Sequence, residues 1–355
     1  MRCSRLSTGG WSPYWPTYEA SGSVFGWNSG ERNGADPGVT SQPLVRTGVR
    51  PPWPGKLEPA GAEFLHVRRA PATSEEAEPA VFVHGLGGSA TNWTDLMGLL
   101  QDRLSSAAPD LPGFGWSPPP SRGDYSLTAH ARVITDFIES DGQRNGPGNG
   151  QPTGHRPVHL IGNSLGGTVA TLVAARRPDL VRTLTLVSPA LPVLRPRSSN
   201  AHLPALAAPW IGQRLARRLG RFPVEARVNA TLALCFADPS RVSRQRFDEA
   251  IAEADRRARL GHESDAMLLS LRSLIATYLH RGPVSLWAVA AQVRAPTLLI
   301  YGLKDKLVDP RTSARAARTY PDARLLLLPD SGHVAQMEHP HEVARAVRRH
   351  MTRVL

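Results

Sequence analysis

Apolar residues fall along this chain in two rhythms. Short, near-continuous apolar runs recur at AVFV (80–83), VHLIG (158–162), TLTLV (183–187), TLLIY (297–301) and RLLLL (324–328), with EFLHV (63–67) a further strand upstream. Runs of that length without polar alternation suit strands buried on both faces, the mark of a parallel sheet. Between them the spacing becomes helical. Leu96, Leu99 and Leu100 share a face within TDLMGLLQDRL (94–104), as do Ala131, Ile134 and Ile138 within LTAHARVITDFIES (127–140). A third helix follows the VHLIG strand, with Leu165, Val169, Leu172 and Val173 on one side. Arg176 and Arg177 complement its dipole in the last turn, and Pro178 stops it. Strands alternating with helices predict an α/β fold, its sheet covered on both faces.

The rhythm is interrupted once. From Pro189 to about Pro283 no strand pattern occurs, and the segment reads as helices, including ALAAPWIGQRLARRL (205–219) and a periodic run from Arg244 to His280. This divides the chain into a core over 56–190 and 284–355 and a helical insertion over 191–283, placed as a cap or lid at one end of the sheet. DGQRNGPGNGQPTGHRP (141–157) reads as a loop. Residues 1–55 lack either period, are rich in Gly, Ser, Pro and Trp, and predict a disordered extension. No internal repeat is visible.

Composition changes this picture little. The 355 residues are 41% hydrophobic and 20% charged, which suits a globular protein with a sizeable core. A net charge of +12 would suit nucleic-acid binding, but it is nearly all arginine, with only Lys56, Lys304 and Lys306 as lysines. The arginines are scattered, as in Arg195, Arg197, Arg214 and Arg218, with no dense basic run interleaved with aromatics; they read as solvated surface, and no nucleic-acid partner is expected. Cys3 and Cys235 form neither a disulfide framework nor a zinc spacing. The N-terminus lacks a signal-peptide pattern, and no run approaches the ~18 apolar residues of a membrane span, so a cytoplasmic location is expected.

Four places could carry chemistry. Gly162-Asn163-Ser164-Leu165-Gly166 sets a serine between glycines at a strand-to-helix junction, the G-x-S-x-G context in which a tight turn exposes the hydroxyl. His84-Gly85-Leu86-Gly87-Gly88 follows the AVFV strand and offers backbone N–H groups to an oxyanion; Gly85, Gly87 and Ala90 also fit a loose dinucleotide fingerprint, which would leave Ser164 unexplained. Asp305 follows the TLLIY strand and could orient an imidazole, with Asp309 a backup and pairing to Lys304 or Lys306 the structural alternative. His333 lies in a short loop after the last strand, whereas His159 sits on a buried strand, His155 in a polar loop and His339 further along. The order Ser164, Asp305, His333 matches three groups at successive strand ends of one sheet.

HGLGG, DLPGFG (110–115), GNSLGG, GLKD and SGHVAQMEHP stand in an order that resembles the α/β-hydrolase superfamily, in its capped single-domain serine-hydrolase branch, over roughly residues 60–190 and 284–355. The resemblance implies Ser164 as nucleophile, His333 as base and Asp305 as orienting acid, with the amides of Leu86 and Leu165 as oxyanion hole. One departure is SSAAP (105–109), where the family usually has a longer apolar strand, so a truncated strand is expected. A serine at the elbow disfavours haloalkane dehalogenase and epoxide hydrolase chemistry, which needs a carboxylate nucleophile. Carboxylic ester or thioester hydrolysis of a small-molecule acyl substrate is expected, without metal or cofactor. Carbon–carbon bond hydrolysis or acyl transfer is the alternative, although no tryptophan adjoins Asp305 or His333. A hydrolase-like ligand receptor is a third. The sequence leaves the oligomeric state open.

Overall fold

The computed structural model describes residues 50–145, 156–193, 208 and 211–352. Its strands are β1 (Gly55–Ala60), β2 (Glu63–Ala70), β3 (Glu78–Val83), β4 (Leu104–Pro109), β5 (Val158–Asn163), β6 (Val181–Val187), β7 (Thr297–Gly302) and β8 (Ala323–Leu328). They form one sheet in the order β1-β2-β4-β3-β5-β6-β7-β8. Only the β1–β2 and β2–β4 pairs are antiparallel. The helices are α1 (Thr94–Leu99), α2 (Leu127–Asn145), α3 (Leu165–Arg176), α4 (Ile211–Leu219), α5 (Val224–Cys235), α6 (Arg244–Ala258), α7 (Glu263–Leu279), α8 (Leu286–Ala290), α9 (Thr312–Thr319), α10 (Ala335–Glu338) and α11 (Pro340–Met351). None of them is long and apolar enough to cross a membrane.

Alternation along the central strands sorts their side chains onto two faces. Val81, Val83, Leu160, Leu299 and Tyr301 join one buried cluster with Ile134 and Phe137 of α2 and Val169 of α3. Phe82, Ile161 and Ile300 join the other, with Trp93, Leu96 of α1 and Val343 and Val347 of α11. Such two-sided burial is why these strands read as continuous apolar runs. Strand β8, at one edge of the sheet among the described residues, is only partly buried throughout.

The structure corrects several local expectations. The helix expected over 94–104 stops at Leu99, and Leu104 opens β4. The strand expected to be truncated at 105–109 is therefore complete: it pairs with both β2 and β3, and Ser106, Ala107 and Ala108 are buried. Small residues carry almost no strand propensity of their own, and here neighbours on both sides supply the pairing. Helix α2 runs past Ser140 to Asn145, the last described residue before 156, tolerating Gly142 on the way. The periodic run from Arg244 to His280 is two helices, broken around Gly261. Helix α4 covers 211–219 of the stretch expected to be helical over 205–219, of which 205–207 and 209–210 lie outside the described residues. Residues 1–49, His155, Arg195 and Arg197 lie outside the described residues. Trp53 is anchored: its indole N–H donates to the Thr94 carbonyl at 3.1 Å.

Candidate active site

The parallel strands β3, β5, β6, β7 and β8 end along one rim. Register places Val83 opposite Gly162, Asn163 opposite Val187, Val187 opposite Ile300 and Gly302 opposite Leu328. Leu86, Ser164, Leu165, Asp305 and His333 all lie beyond these ends.

Ser164 joins β5 to α3 with φ 55° and ψ −121°, a conformation disfavoured for any residue with a Cβ. Strain of this kind costs about 1–3 kcal/mol and persists only where surrounding bonds enforce it. The Ser164 N–H donates to Val187 O at 3.0 Å, and its carbonyl accepts from Thr168 N at 3.1 Å and Ala190 N at 3.0 Å. The flanking glycines are steric requirements. A Cβ on Gly162 would stand 2.4 Å from Gly166 O, and one on Gly166 would stand 2.3 Å from both His84 O and Val83 O. Because α3 begins at Leu165, the amides of its first turn have no helical acceptor and carry the positive end of the helix dipole.

The loop after β3 reaches the same point, since a Cβ on Gly85 would lie 3.0 Å from Ser164 Cβ. It leads into a short 3-10 turn (Ala90–Trp93) and the six-residue α1, not into the long helix that a dinucleotide-binding turn would open. His84 is buried: Leu111 N–H donates to its Nε2 at 2.9 Å, so its Nδ1 carries the proton and donates to Gly85 O at 2.7 Å. Burial pushes the His84 pKa down, keeping the ring neutral.

Beyond β7 and β8, His333 Nδ1 donates to Asp305 Oδ2 at 2.9 Å, with both residues buried. The other carboxylate oxygen of Asp305 accepts from Leu307 N at 2.8 Å and Val308 N at 2.9 Å. The acid is thus clamped at one oxygen and presents the other to the imidazole. Asn163 Nδ2, one residue from Ser164, donates to Val187 O at 3.0 Å and to His333 O at 3.2 Å, joining the His333 peptide to the turn at Ser164.

Residues 79–340 match the family model for the alpha/beta hydrolase fold. The chain belongs to the α/β-hydrolase superfamily. Haloalkane dehalogenase 2 of Mycobacterium bovis is 28% identical over 270 residues, 76% of this chain and 86% of that protein. Monoacylglycerol lipase abhd6-B of Xenopus laevis is 24% identical over 286 residues, 76% of this chain and 74% of the lipase. Among solved structures, the 2-hydroxy-6-oxo-6-phenylhexa-2,4-dienoate hydrolase of Rhodococcus sp. strain RHA1 aligns with a TM-score of 0.66 at 20% identity, covering 84% of this chain and 98% of its own.

In this α/β-hydrolase the remaining candidates fall into structural roles. The Asp309 carboxylate is held by Arg311 at 2.9 Å, Lys304 pairs with Asp330 at 2.7 Å, and Lys306 donates to Ala233 O at 2.6 Å. His159 bonds Thr183 Oγ1 at 2.7 Å and Glu78 Oε2 at 2.5 Å near the start of β5, remote from the rim. Four contributors were missed: Asn163, His84 as a loop anchor, Asp110 and Glu338. Asp110, first residue of DLPGFG, accepts from His66 Nδ1 at 2.8 Å, Ala90 N at 2.6 Å and Trp116 N at 3.0 Å. Burial alone would raise its pKa, but these donors hold it below the usual carboxylate range. Its place within a quoted motif was the available signal.

The segment between β6 and β7 touches the rim directly. Arg257 of α6 donates to Gly87 O at 2.7 Å, and Met267 of α7 lies 3.4 Å from where a Gly87 Cβ would be. The Cys235 carbonyl accepts from His333 N at 2.7 Å. Burial, with the Asp305 charge adding to it, pushes the Cys235 thiol up to about 12, so it stays protonated at neutral pH. Among the described residues no cluster of three or more His, Cys, Asp or Glu could hold a metal ion.

Proposed function

We propose that this protein is a carboxylic ester or thioester hydrolase working through an acyl-enzyme on Ser164. His333 Nε2 takes the Ser164 proton as the hydroxyl oxygen attacks the substrate carbonyl. The tetrahedral oxyanion rests on the Leu86 and Leu165 amides, donors worth roughly 3–4 kcal/mol each where such groups have been removed. Collapse breaks the bond to the alcohol or thiol, which leaves with the proton from His333. Water then attacks the acyl-serine, again deprotonated by His333, and the carboxylic acid departs. Asp305 holds the imidazole in the tautomer with its proton on Nδ1.

The observation that carries this reading is the buried His333–Asp305 bond of 2.9 Å at the rim where Ser164 is held in strained geometry. The elbow chemistry also argues against dehalogenation. Displacement of a halide by a serine oxygen would leave a stable ether, whereas an acyl ester is readily hydrolysed. In the same reading the helices between β6 and β7 act as a lid, with Met267 and Ala266 of α7 bounding the acyl pocket beside Gly87 and Gly113.

The test pairs a fluorophosphonate probe with two substrates, a nitrophenyl ester and a ring-fission dienol. Labelling confined to Ser164, together with ester turnover, is expected. Turnover of the dienol alone would replace ester cleavage with carbon–carbon hydrolysis, and binding without turnover would mark a receptor.

A further inference from the structure

The reaction proposed above makes no use of Glu338, yet this carboxylate is buried at the end of α10. Its Oε2 accepts from Gly332 N at 2.7 Å and from Ala237 N at 3.2 Å. Its Oε1 accepts from Asp238 N at 3.0 Å and from Arg241 Nη1 at 3.0 Å. Four donors from two remote stretches of chain therefore converge on one side chain. One stretch is the peptide preceding His333; the other follows α5 in the segment between β6 and β7. Arg241 spans them a second time by donating to Asp330 O at 2.7 Å.

The two stretches are pressed together at the base itself. His333 N donates to Cys235 O at 2.7 Å. A Cβ on Gly332 would lie 2.5 Å from Cys235 O and 2.6 Å from Ala237 N, so the backbones meet with no room for a side chain. The donor set fits an anion. One buried and two part-buried main-chain N–H groups and a guanidinium can all be accepted by two carboxylate oxygens, but an amide would turn its own NH2 toward two of them.

We infer that Glu338 is a positioning residue for the base: it ties the loop carrying His333 to the segment after α5, so that the imidazole is aligned only while that segment is seated. The inference rests on His333 being the base of the proposed hydrolysis. It makes the helical segment part of the machinery that aims the proton acceptor, beyond any role as a pocket wall. A small displacement of a catalytic group suffices for a large rate effect, about 100-fold for roughly 1 Å.

The experiment compares full-length wild type, Glu338→Gln, Arg241→Gln, the double variant and His333→Ala, each assayed well below its own melting temperature. In Glu338→Gln, kcat on a nitrophenyl ester should fall about 10–100-fold with KM nearly unchanged, as expected for a misplaced catalytic group. The rate of fluorophosphonate labelling of Ser164 should fall in parallel. Arg241→Gln should lose less, and the double variant should lose less than the product of the two effects, because both act through one carboxylate. A lowered melting temperature with wild-type kcat and labelling rate would reduce Glu338 to a structural group and overturn the inference. Should Glu338→Gln fail to fold, Arg241→Gln carries the same test, and wild-type kcat there overturns it. Full activity in His333→Ala would instead remove the hydrolytic reading itself.

Discussion

The two halves of the site are held by different means. Ser164 is held by close backbone packing: Gly162 and Gly166 let β3, β5 and α3 close on one another, and Thr168 and Ala190 grip its carbonyl. His333 is held from a distance, by Asp305 on its ring, Cys235 O on its amide, Asn163 on its carbonyl and Glu338 one peptide away. The serine side is a strained turn wedged tightly between adjoining backbones, those of Val83, His84, Val187 and Ala190. The histidine side is an assembly point for segments separated by up to 170 positions. A change on the first side should therefore disturb folding and chemistry together, whereas a change on the second should misalign chemistry in a protein that still folds.

The largest expected effect tests the strained turn. Ser164→Ala should lose about 10⁶-fold in kcat, the scale seen when a triad nucleophile is removed. Ser164→Gly should be as inactive yet more stable, because relieving about 1–3 kcal/mol of strain outweighs the roughly 0.5–1 kcal/mol that glycine costs in chain entropy. Thermal melts and ester assays on both variants check this. A less stable glycine variant would mean the turn is not strained in solution.

Next is Asp305→Asn, with an expected loss of about 10⁴-fold and a near-normal melting temperature. The amide oxygen would keep the Leu307 and Val308 N–H groups and turn NH2 toward His333, forcing the ring proton onto Nε2, where it cannot accept from serine. An intact rate would mean the 2.9 Å bond does not set the tautomer.

Gly166→Ala should act on the fold first. Its Cβ would meet two backbone carbonyls at 2.3 Å, so β3 and α3 must separate, at about 3 kcal/mol or more in denaturant melts. A variant as stable as wild type would break the contrast between the two sides.

The smallest effect concerns a further tie to the helical segment, the 3.0 Å bond between His130 Nε2 of α2 and Ser270 Oγ of α7. Burial, with the nearby His84 adding to it, pushes the His130 pKa down to about 4. An unfolded histidine takes up its proton near pH 6.5. Between those values the unfolded chain binds more protons, so stability falls as pH drops from about 6.5 to about 4, by on the order of 3 kcal/mol, and levels off below. His130→Phe should shrink that slope, leaving the part due to His84. A melting temperature whose acid slope is identical in the variant would show that His130 is not buried and neutral.

Much of the nucleophile side was legible in the residues. The run VHLIGNSLGG states a buried strand, a turn and a helix within one short window, and Gly162 and Gly166 there answer contacts that allow no Cβ. Asp305 and His333 were legible as short loops after apolar strands, in the order that successive strand ends would give. Tryptophan 53, β4 and the break near Gly261 were not, and neither were Asp110, Glu338 and Asn163. Ser106, Ala107 and Ala108 have no strand signal until β2 and β3 flank them. Glu338 looks like any charged residue near a helix end until Gly332, Ala237, Asp238 and Arg241 surround it.

The residues alone therefore determined the α/β class, the positions of the central strands and the identity of the elbow, because buried strands and tight turns impose demands that neighbouring residues must meet. The tertiary structure decided which acid meets the imidazole, which groups tie down the His333 loop and where the helical segment touches it. Those outcomes depend on donors and acceptors brought together by sheet order and loop packing, and hydrogen bonds between remote positions leave no periodic trace along the chain.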